Sequence, residues 1–149
     1  MALGKFGPDQ KGNGLLLVAF CCGNCSGKAG EMSKAPFIVN GVNVRLAVLA
    51  CSSKLAVLHI LRALETGADA VALWTCGKLA CRFGRGWARA AKRVDRARVI
   101  LDQIGVGGQR VFITELSPTE ADGLNRSLAE LADELTRLGP SPLKSAGVK

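Results

Sequence analysis

The chain has 149 residues, which fits a single domain, because domains cluster around roughly 100–150 residues. Apolar residues make up 48% and charged residues 21% of it. This is an ordinary globular balance and excludes a disordered or fibrous chain for most of the length. Lysine and arginine number 20 against 12 acidic residues, so the formal net charge is +8 and the surface is basic.

The longest apolar run covers residues 15–22. It is too short to span a bilayer, which needs about 20 residues. The leader before it is short and shows no small-x-small cleavage site, so it does not have the layout of a signal peptide. We therefore expect a cytoplasmic chain without a membrane span. In a reducing compartment, six clustered cysteines indicate metal binding or catalysis more than disulfides.

Four short apolar segments predict β-strands. Continuous apolar runs of this kind are typical of strands that are buried on both faces. The segments are residues 15–21, 44–50, 70–75 and 110–116. Residues 23–40 carry Gly, Ser, Lys and Pro without clear periodicity, and we expect a long loop there, with at most a short helix.

Three segments between and after these strands predict helices. Residues 52–65 repeat leucine at three- and four-residue spacing, with Ser52 or Ser53 as the N-cap. A long helix is expected over about residues 84–104, and glycines end it. The last helix is predicted to start at the capping box of residues 117–120 and to end before Gly139.

The alternation of strands and helices predicts an α/β fold. We expect a four-stranded parallel sheet flanked by helices, of the Rossmann-like or flavodoxin-like kind. The folded domain is predicted over residues 14–139. Residues 1–13 and 140–149 are expected to form flexible tails.

The cysteines all lie at or just beyond the ends of three predicted strands. Cys21, Cys22 and Cys25 accompany the first strand, Cys51 follows the second, and Cys76 and Cys81 follow the third. In a parallel sheet the carboxyl ends of the strands share one edge, which is the edge where α/β folds bind ligands. The sequence therefore predicts a metal site at this edge.

Thiolates are soft ligands that select zinc, Cu(I) or iron–sulfur clusters. Four ligands can be drawn from Cys22-x2-Cys25, Cys51 and Cys76-x4-Cys81, and mixed x2 and x4 spacings favour a [2Fe–2S] cluster. Paired short C-x2-C knuckles, which structural zinc prefers, are not present as a set. Spacing alone does not choose four of the five, and Cys21 is better interpreted as a small buried core residue.

Two alternatives to an iron–sulfur cluster stay open. The first is a zinc-stabilised interaction module that uses the same ligands. The second is a thiol–disulfide protein that uses Cys22 and Cys25, since a C-x-x-C motif near a βαβ unit is typical of thioredoxin-like proteins. That second interpretation leaves Cys51, Cys76 and Cys81 without a role. The sequence shows no Ser/His/Asp set and no paired carboxylates in a plausible catalytic site.

A basic segment follows the last cysteines. Residues 78–98 carry a net charge of +7, which is nearly all of the net charge of the chain. On a helix, five arginines form a stripe that starts beside the cysteine site: Arg82, Arg85, Arg89, Arg93 and Arg96. The stripe predicts a docking surface for an acidic redox partner. A merely solvated face is the simpler interpretation, and nucleic-acid binding is disfavoured because only two aromatic residues interleave and no nucleic-acid motif is present.

The ordered set of motifs resembles the delta subunit of methyl-viologen-reducing hydrogenase. The resemblance runs from about residue 16 to residue 138. It rests on Phe20-Cys21-Cys22-Gly23-Asn24-Cys25-Ser26, Asn43-Val44-Arg45 ahead of Cys51-Ser52, Gly67-Ala68-Asp69-Ala70-Val71 ahead of Cys76-x4-Cys81, Ala91-Lys92-Arg93-Val94 and Ile104-Gly105.

This resemblance implies an electron-transfer subunit that carries one [2Fe–2S] cluster and has no substrate chemistry of its own. It implies that electrons pass between a hydrogenase or formate-dehydrogenase-type donor and a heterodisulfide-reductase-like flavoprotein. By the same resemblance, all six cysteines match motif cysteines of the family.

The chain departs from the family pattern beside the cysteines. The family usually has His-Pro-Gly-Asp between the last two cysteines, and His after them. Here Gly77-Lys78-Leu79-Ala80 and Arg82 stand there, and Asn24 replaces an aromatic residue. Since charges and hydrogen bonds near the sulfurs tune a cluster, these changes bear on its potential and its partner.

Overall fold

Five strands form one mixed sheet in the computed structural model, which describes residues 14–24, 29–117 and 122–145. The strands are β1 (Leu16–Cys22), β2 (Phe37–Val39), β3 (Val42–Leu49), β4 (Ala70–Thr75) and β5 (Val111–Glu115). Their spatial order is β2-β3-β1-β4-β5. Strands β3, β1, β4 and β5 run parallel, and β2 is antiparallel to β3.

Helices cover both faces of the sheet. They are α1 (Ala29–Met32), α2 (Val57–Glu65), α3 (Gly77–Ala80), α4 (Gly86–Gln103), α5 (Gly123–Leu138) and α6 (Pro142–Ser145). Two short 3-10 turns, Ser52–Lys54 and Gly108–Arg110, precede α2 and β5. The α/β prediction is confirmed, whereas the four-stranded, fully parallel sheet is corrected to a five-stranded, mostly parallel one.

The additional strand β2 belongs to a segment that the sequence predicted as loop. It is three residues long and joins β3 through the two-residue turn Asn40-Gly41. Both turn residues have positive φ, 46° and 83°. Such backbone angles match the type I′ turn, which suits the right-handed twist of paired strands and favours Asn-Gly. The turn signal was therefore present, but the strand was too short to give a periodic pattern.

Strand β1 lies at the centre of the sheet, and all seven of its residues are buried. On one face Val18 and Phe20 pack in a cluster with residues of α2 and α4. On the other face Ala19 packs in a cluster with Trp74 and residues of α5. The Trp74 indole N–H donates a hydrogen bond of 2.7 Å to the Ser127 hydroxyl, which ties α5 to the sheet.

The helix predicted over residues 52–65 is divided in two. A 3-10 turn over Ser52–Lys54 precedes α2, with Leu55 and Ala56 between them. Neither predicted serine cap forms, and the backbone N–H of Ala56 instead donates to Nδ1 of His59 at 2.9 Å. The Ser53 hydroxyl donates to the Cys51 sulfur, so its hydrogen bond serves the cysteine edge. Of the predicted capping box, residues 118–120 lie outside the described residues.

At the amino edge of the sheet, a buried carboxylate organises three segments. Asp69, with no exposed surface, accepts hydrogen bonds from the backbone N–H of Leu16 at 2.8 Å and of Ser141 at 2.7 Å. Lys144 of α6 completes the set with an ion pair at 2.6 Å. Residues 141–145, predicted as part of a flexible tail, thus include a helix that is fastened to the sheet.

A second buried side chain holds the same corner. The Arg110 guanidinium donates to the backbone carbonyls of Asp69, Gly139 and Pro140 at 2.9–3.0 Å. Burial lowers the pKa of this guanidinium, while the neighbouring Asp69 charge acts in the opposite direction. Within the described ranges, no helix is both long and apolar enough to cross a bilayer.

Replacement of Asp69 is expected to destabilise the fold strongly. Asp69→Ala leaves two buried N–H groups and one ammonium without their acceptor, so the free energy of unfolding should fall by about 3 kcal/mol. Chemical denaturation measures the change. Asp95→Ala is the control, because it removes a surface ion pair with Arg98 at 3.5 Å and should cost at most about 0.5 kcal/mol. Equal losses in the two variants would contradict the role of Asp69.

Candidate metal centre

Three neighbouring strands deliver cysteines to the carboxyl edge of the sheet. Cys22 is the last residue of β1, Cys51 follows β3 closely, and Cys76 follows β4 directly. Cys81 comes after the short helix α3 and lies directly before the segment that leads into α4. The first three are buried, and Cys81 is partly exposed. None of the described cysteines forms a disulfide.

The sulfurs of Cys22 and Cys76 form a close pair, 4.0 Å apart. Two thiolates on one tetrahedral ion lie roughly 3.8 Å apart when the metal–sulfur bond is about 2.3 Å. The pair is therefore spaced as two ligands of one ion are, although the residues are far apart in sequence. The parallel pairing of β1 with β4, in which Cys21 stands opposite Trp74, produces this proximity.

The sulfurs of Cys51 and Cys81 both border Gly86, at the first position of α4. A Cβ atom on Gly86 would lie 2.4 Å from the Cys51 sulfur and 3.5 Å from the Cys81 sulfur. The first distance is far below van der Waals contact, so a side chain at this position would force the Cys51 sulfur or α4 to shift. No sequence pattern singles out Gly86, because its role depends on a contact with a distant loop.

The start of α4 points backbone N–H groups at the Cys81 sulfur. Burial raises the pKa of this thiol, but hydrogen bonds from the backbone N–H groups of Trp87, Phe83 and Gly86, with one from the Cys76 side chain, outweigh burial, and the net pKa is lowered. Donors of this kind stabilise a thiolate, which is the form that binds metal. The backbone around Cys81 thus favours its thiolate form.

Cys76 shows the opposite effect. Burial, together with the neighbouring Cys22, raises the pKa of its thiol to about 11, and a hydrogen bond from the Asn24 side chain opposes this rise. The Asn24 amide also donates to the carbonyl of Ala80 at 2.7 Å. Asn24, which departs from the aromatic residue of the family pattern, therefore links the loop after β1 to the Cys76–Cys81 segment.

The loop that carries Cys51 is held from α4. The Ser53 hydroxyl donates to the Cys51 sulfur at 3.2 Å. The Arg93 guanidinium donates to the carbonyl of Ser53, and to that of Leu55 at 3.2 Å. Arg93 was predicted as part of the docking stripe, but the structure directs its guanidinium inward, where it positions the Cys51 loop.

The remaining two cysteines are Cys21 and Cys25. Cys21 is fully buried in the core cluster that contains Trp74, and its thiol donates to the carbonyl of Cys22 at 3.4 Å. Its location agrees with the prediction of a small core residue. Cys25 lies outside the described residues.

Four described cysteines lie at one edge of the sheet, and thiols of this kind are soft metal ligands. Among residues 14–24, 29–117 and 122–145, no three His, Cys, Asp or Glu side chains are close enough together to hold one ion. The described thiols form a connected series: Cys76 lies 4.0 Å from Cys22 and also interacts with Cys81, and the sulfurs of Cys81 and Cys51 both border Gly86. Backbone N–H donors and Gly86, which leaves room for sulfur, lie at the same edge.

The predicted basic stripe lies on α4 and on the segment before it. Arg82, Arg85, Arg89 and Arg96 are exposed, in contrast to the half-buried Arg93. A groove of about 180 Å³ is lined by Arg85, Ala88, Arg89 and Lys92. The stripe thus adjoins the cysteine edge, as the sequence predicts, with one member turned inward.

Gly86→Ala should weaken metal binding while the fold remains stable. Alanine is the best helix former, so the start of α4 tolerates it, but its Cβ displaces the Cys51 sulfur. We expect the affinity for iron to fall about tenfold or more, while the metal-free chain still folds with a modestly lower melting temperature, because the Cys51 sulfur must shift. Gly30→Ala is the matched control, since a Cβ there meets nothing within 4 Å. Full metal loading of Gly86→Ala would contradict the packing described.

The thiols of the reduced, metal-free chain should differ in reactivity. At neutral pH we expect iodoacetamide to alkylate Cys81 well before Cys76, because the pKa of Cys81 is lowered and that of Cys76 is raised to about 11. As pH rises towards 11, the thiolate fraction of Cys76 grows and its rate should approach that of Cys81. Peptide mass spectrometry measures both rates. Comparable rates at neutral pH would contradict the electrostatic difference.

The sequence is similar to those of several named proteins. A family model described as methyl-viologen-reducing hydrogenase, delta subunit, matches residues 17–139. The iron-sulfur subunit of the vhu F420-non-reducing hydrogenase of Methanocaldococcus jannaschii is 32% identical over 130 residues, which cover 87% of this chain and 97% of that protein. The corresponding vhu iron-sulfur subunit of Methanococcus maripaludis is 29% identical over 130 residues, with the same coverage of both chains.

A larger protein contains a related segment. It is one of the subunits of the ferredoxin:CoB-CoM heterodisulfide reductase of Methanosarcina mazei, and it is 29% identical over 124 residues, which cover 83% of this chain but 16% of that protein. The match of the family model over most of the chain, together with the similarity to the Methanocaldococcus protein, shows that this chain belongs to the methyl-viologen-reducing hydrogenase delta subunit family.

Proposed function

We propose that this chain is an electron-transfer subunit that carries a [2Fe–2S] cluster at the carboxyl edge of its sheet. The observation that carries the proposal is the convergence of thiols from three strand ends, in a chain whose relatives are named iron-sulfur subunits. Cys22, Cys51, Cys76 and Cys81 are the proposed ligands, and Cys25 is the alternative to one of them.

The names of the relatives, which are iron-sulfur subunits, favour an iron–sulfur cluster over one zinc. A binuclear cluster takes two pairs of thiolates, one pair on each iron, whereas a structural zinc takes four around one point. Cys22 and Cys76, 4.0 Å apart, suit one iron. Cys51 and Cys81, which both border Gly86, suit the other. The same names disfavour the zinc module and the thiol–disulfide protein that the sequence left open.

The residues around the sulfurs have defined tasks in this proposal. A bound cluster supplies one-electron chemistry. The N–H groups of Phe83, Gly86 and Trp87 stabilise negative charge on the Cys81 sulfur, and the Ser53 hydroxyl does the same for Cys51. Such donors favour the more negative, reduced state and so raise the reduction potential.

The names of the relatives support the proposed partners. The iron-sulfur subunits that resemble this chain belong by name to hydrogenases, and the heterodisulfide reductase protein of Methanosarcina mazei contains a related segment within its own chain. We propose that electrons pass from a hydrogenase or formate-dehydrogenase-type donor, through this chain, to a heterodisulfide-reductase-like flavoprotein. A segment fused to the acceptor in one organism and separate in another is consistent with direct contact between the two.

Metal and sulfide analysis of the anaerobically purified chain tests the proposed function. We expect about two irons and about two acid-labile sulfides per chain, and a visible band that dithionite bleaches. Cys51→Ser and Cys76→Ser should each lose or alter the band, whereas Cys21→Ser, the control in the core, should keep it. One zinc per chain and no colour would contradict the proposal.

A further inference from the structure

We propose that the cationic face beside the cysteine edge docks an acidic surface of a protein redox partner, centred on Phe83 and covering the groove that leads to Cys51. We define this face by its six exposed cations, Lys78, Arg82, Arg85, Arg89, Lys92 and Arg96. The proposal rests on the proposed electron-transfer function and adds to it where the partner binds and what chemistry its surface has.

The structure divides the eight cations of residues 78–98 into two groups. Arg93 donates to backbone carbonyls of the Cys51 loop, and Arg98 donates to the carbonyl of Val111 and pairs with Asp95. The six cations of the cationic face are exposed and make no salt bridge with any residue in the described part of the chain. Two arginines therefore serve the fold, and six are available to a partner.

The spacing of these cations disfavours a purely structural role. Arg85 and Arg89, and Lys92 and Arg96, are each four residues apart on or next to α4, where like charges repel and destabilise a helix. No acidic residue in the first turn of α4 offsets them. An external surface of negative charge relieves this repulsion, and opposite charges across an interface also accelerate association.

The apolar residues of the face indicate a protein partner. Leu79 is fully exposed, and Phe83 is 63% exposed. Both lie in the segment that joins Cys76 to α4, among the cations. Exposed apolar side chains ringed by charge are typical of protein interfaces, in which an apolar centre excludes water and a polar rim gives orientation.

A groove connects this face to one of the proposed ligands. It measures about 210 Å³ and is lined by Cys51, Phe83, Arg89, Ala50, Ser53 and Lys54. A partner seated over it therefore contacts the residue whose sulfur borders Gly86. Arg89 also lines the neighbouring groove of about 180 Å³ with Arg85 and Lys92, which is suited to a carboxylate side chain.

Binding of defined probe proteins to the full-length chain tests the proposal. The probes are a flavodoxin with a strongly acidic surface, the basic protein cytochrome c, and a duplex DNA oligomer. Calorimetry measures each dissociation constant at low and at physiological ionic strength. We expect flavodoxin to bind, to weaken as salt rises, and to bind more tightly than DNA, whereas cytochrome c should not bind.

Two matched pairs of variants test whether flavodoxin binds at the cationic face. Each pair compares a residue of this face or its groove with a similar residue elsewhere. Arg89→Glu should weaken flavodoxin binding about fivefold to tenfold, whereas Arg62→Glu on the last turn of α2 changes the net charge equally and should have little effect. Phe83→Ala should weaken binding by a similar factor, and Leu58→Ala, at an apolar position exposed to 60%, should not. Each variant is compared with the parent chain by its melting temperature.

Several results would overturn the docking surface. Tighter binding of DNA would assign the cations to a nucleic acid, and equal effects of Arg89→Glu and Arg62→Glu would mean that only net charge matters. An absence of flavodoxin binding to a chain whose cluster bleaches normally would reject the surface alone. Binding with the expected variant pattern in a chain that holds no iron would support the surface and reject the proposed electron-transfer function.

Discussion

The parallel pairing of β3, β1 and β4 is the constraint on which the rest of the structure depends. Since these strands run in one direction, the chain leaves each of them at the same edge, and a cysteine stands at or just beyond each end. Thiols that are distant in sequence, such as Cys22 and Cys76, thereby come within 4.0 Å of each other. Buried strand interiors fix this register, because a shift would expose apolar side chains.

The two edges of the sheet differ in the kinds of side chain that they carry. At the amino edge, Asp69 and Arg110 satisfy backbone groups of several segments and fasten the C-terminal helix. At the carboxyl edge, the strand ends and loops carry soft sulfur atoms, glycines and N–H donors. Interactions at the amino edge can therefore stabilise the fold, while the carboxyl edge is available for a ligand, as is common in α/β proteins.

Much of this organisation follows from the sequence. The run 70–75 predicted β4 to the residue, and the position of the cysteines after apolar runs predicted that they share one edge. Strand β2 escaped prediction because three residues give no period, and the hairpin signal Asn40-Gly41 was interpreted as part of a loop. Short strands that depend on a neighbour for their hydrogen bonds leave little trace in a single sequence.

The roles of Gly86 and Arg93 could not be predicted from the sequence either, but the reason differs from that for strand β2. Each depends on a contact between α4 and the Cys51 loop, and neither a glycine at a helix start nor an arginine in a basic stripe indicates such a contact. The stripe itself was predicted correctly as a pattern, but a helical period does not tell which cations turn inward. Only the packing of α4 against the loop separates Arg93 from its exposed neighbours.

The most direct test of the central claim is an anomalous difference map at the iron absorption edge from anaerobically grown crystals of the loaded chain. The account predicts two adjacent iron peaks, one between the sulfurs of Cys22 and Cys76 and the other beside Gly86, between the sulfurs of Cys51 and Cys81. A single metal peak surrounded by four thiolates, or irons bound away from these strand ends, would contradict it.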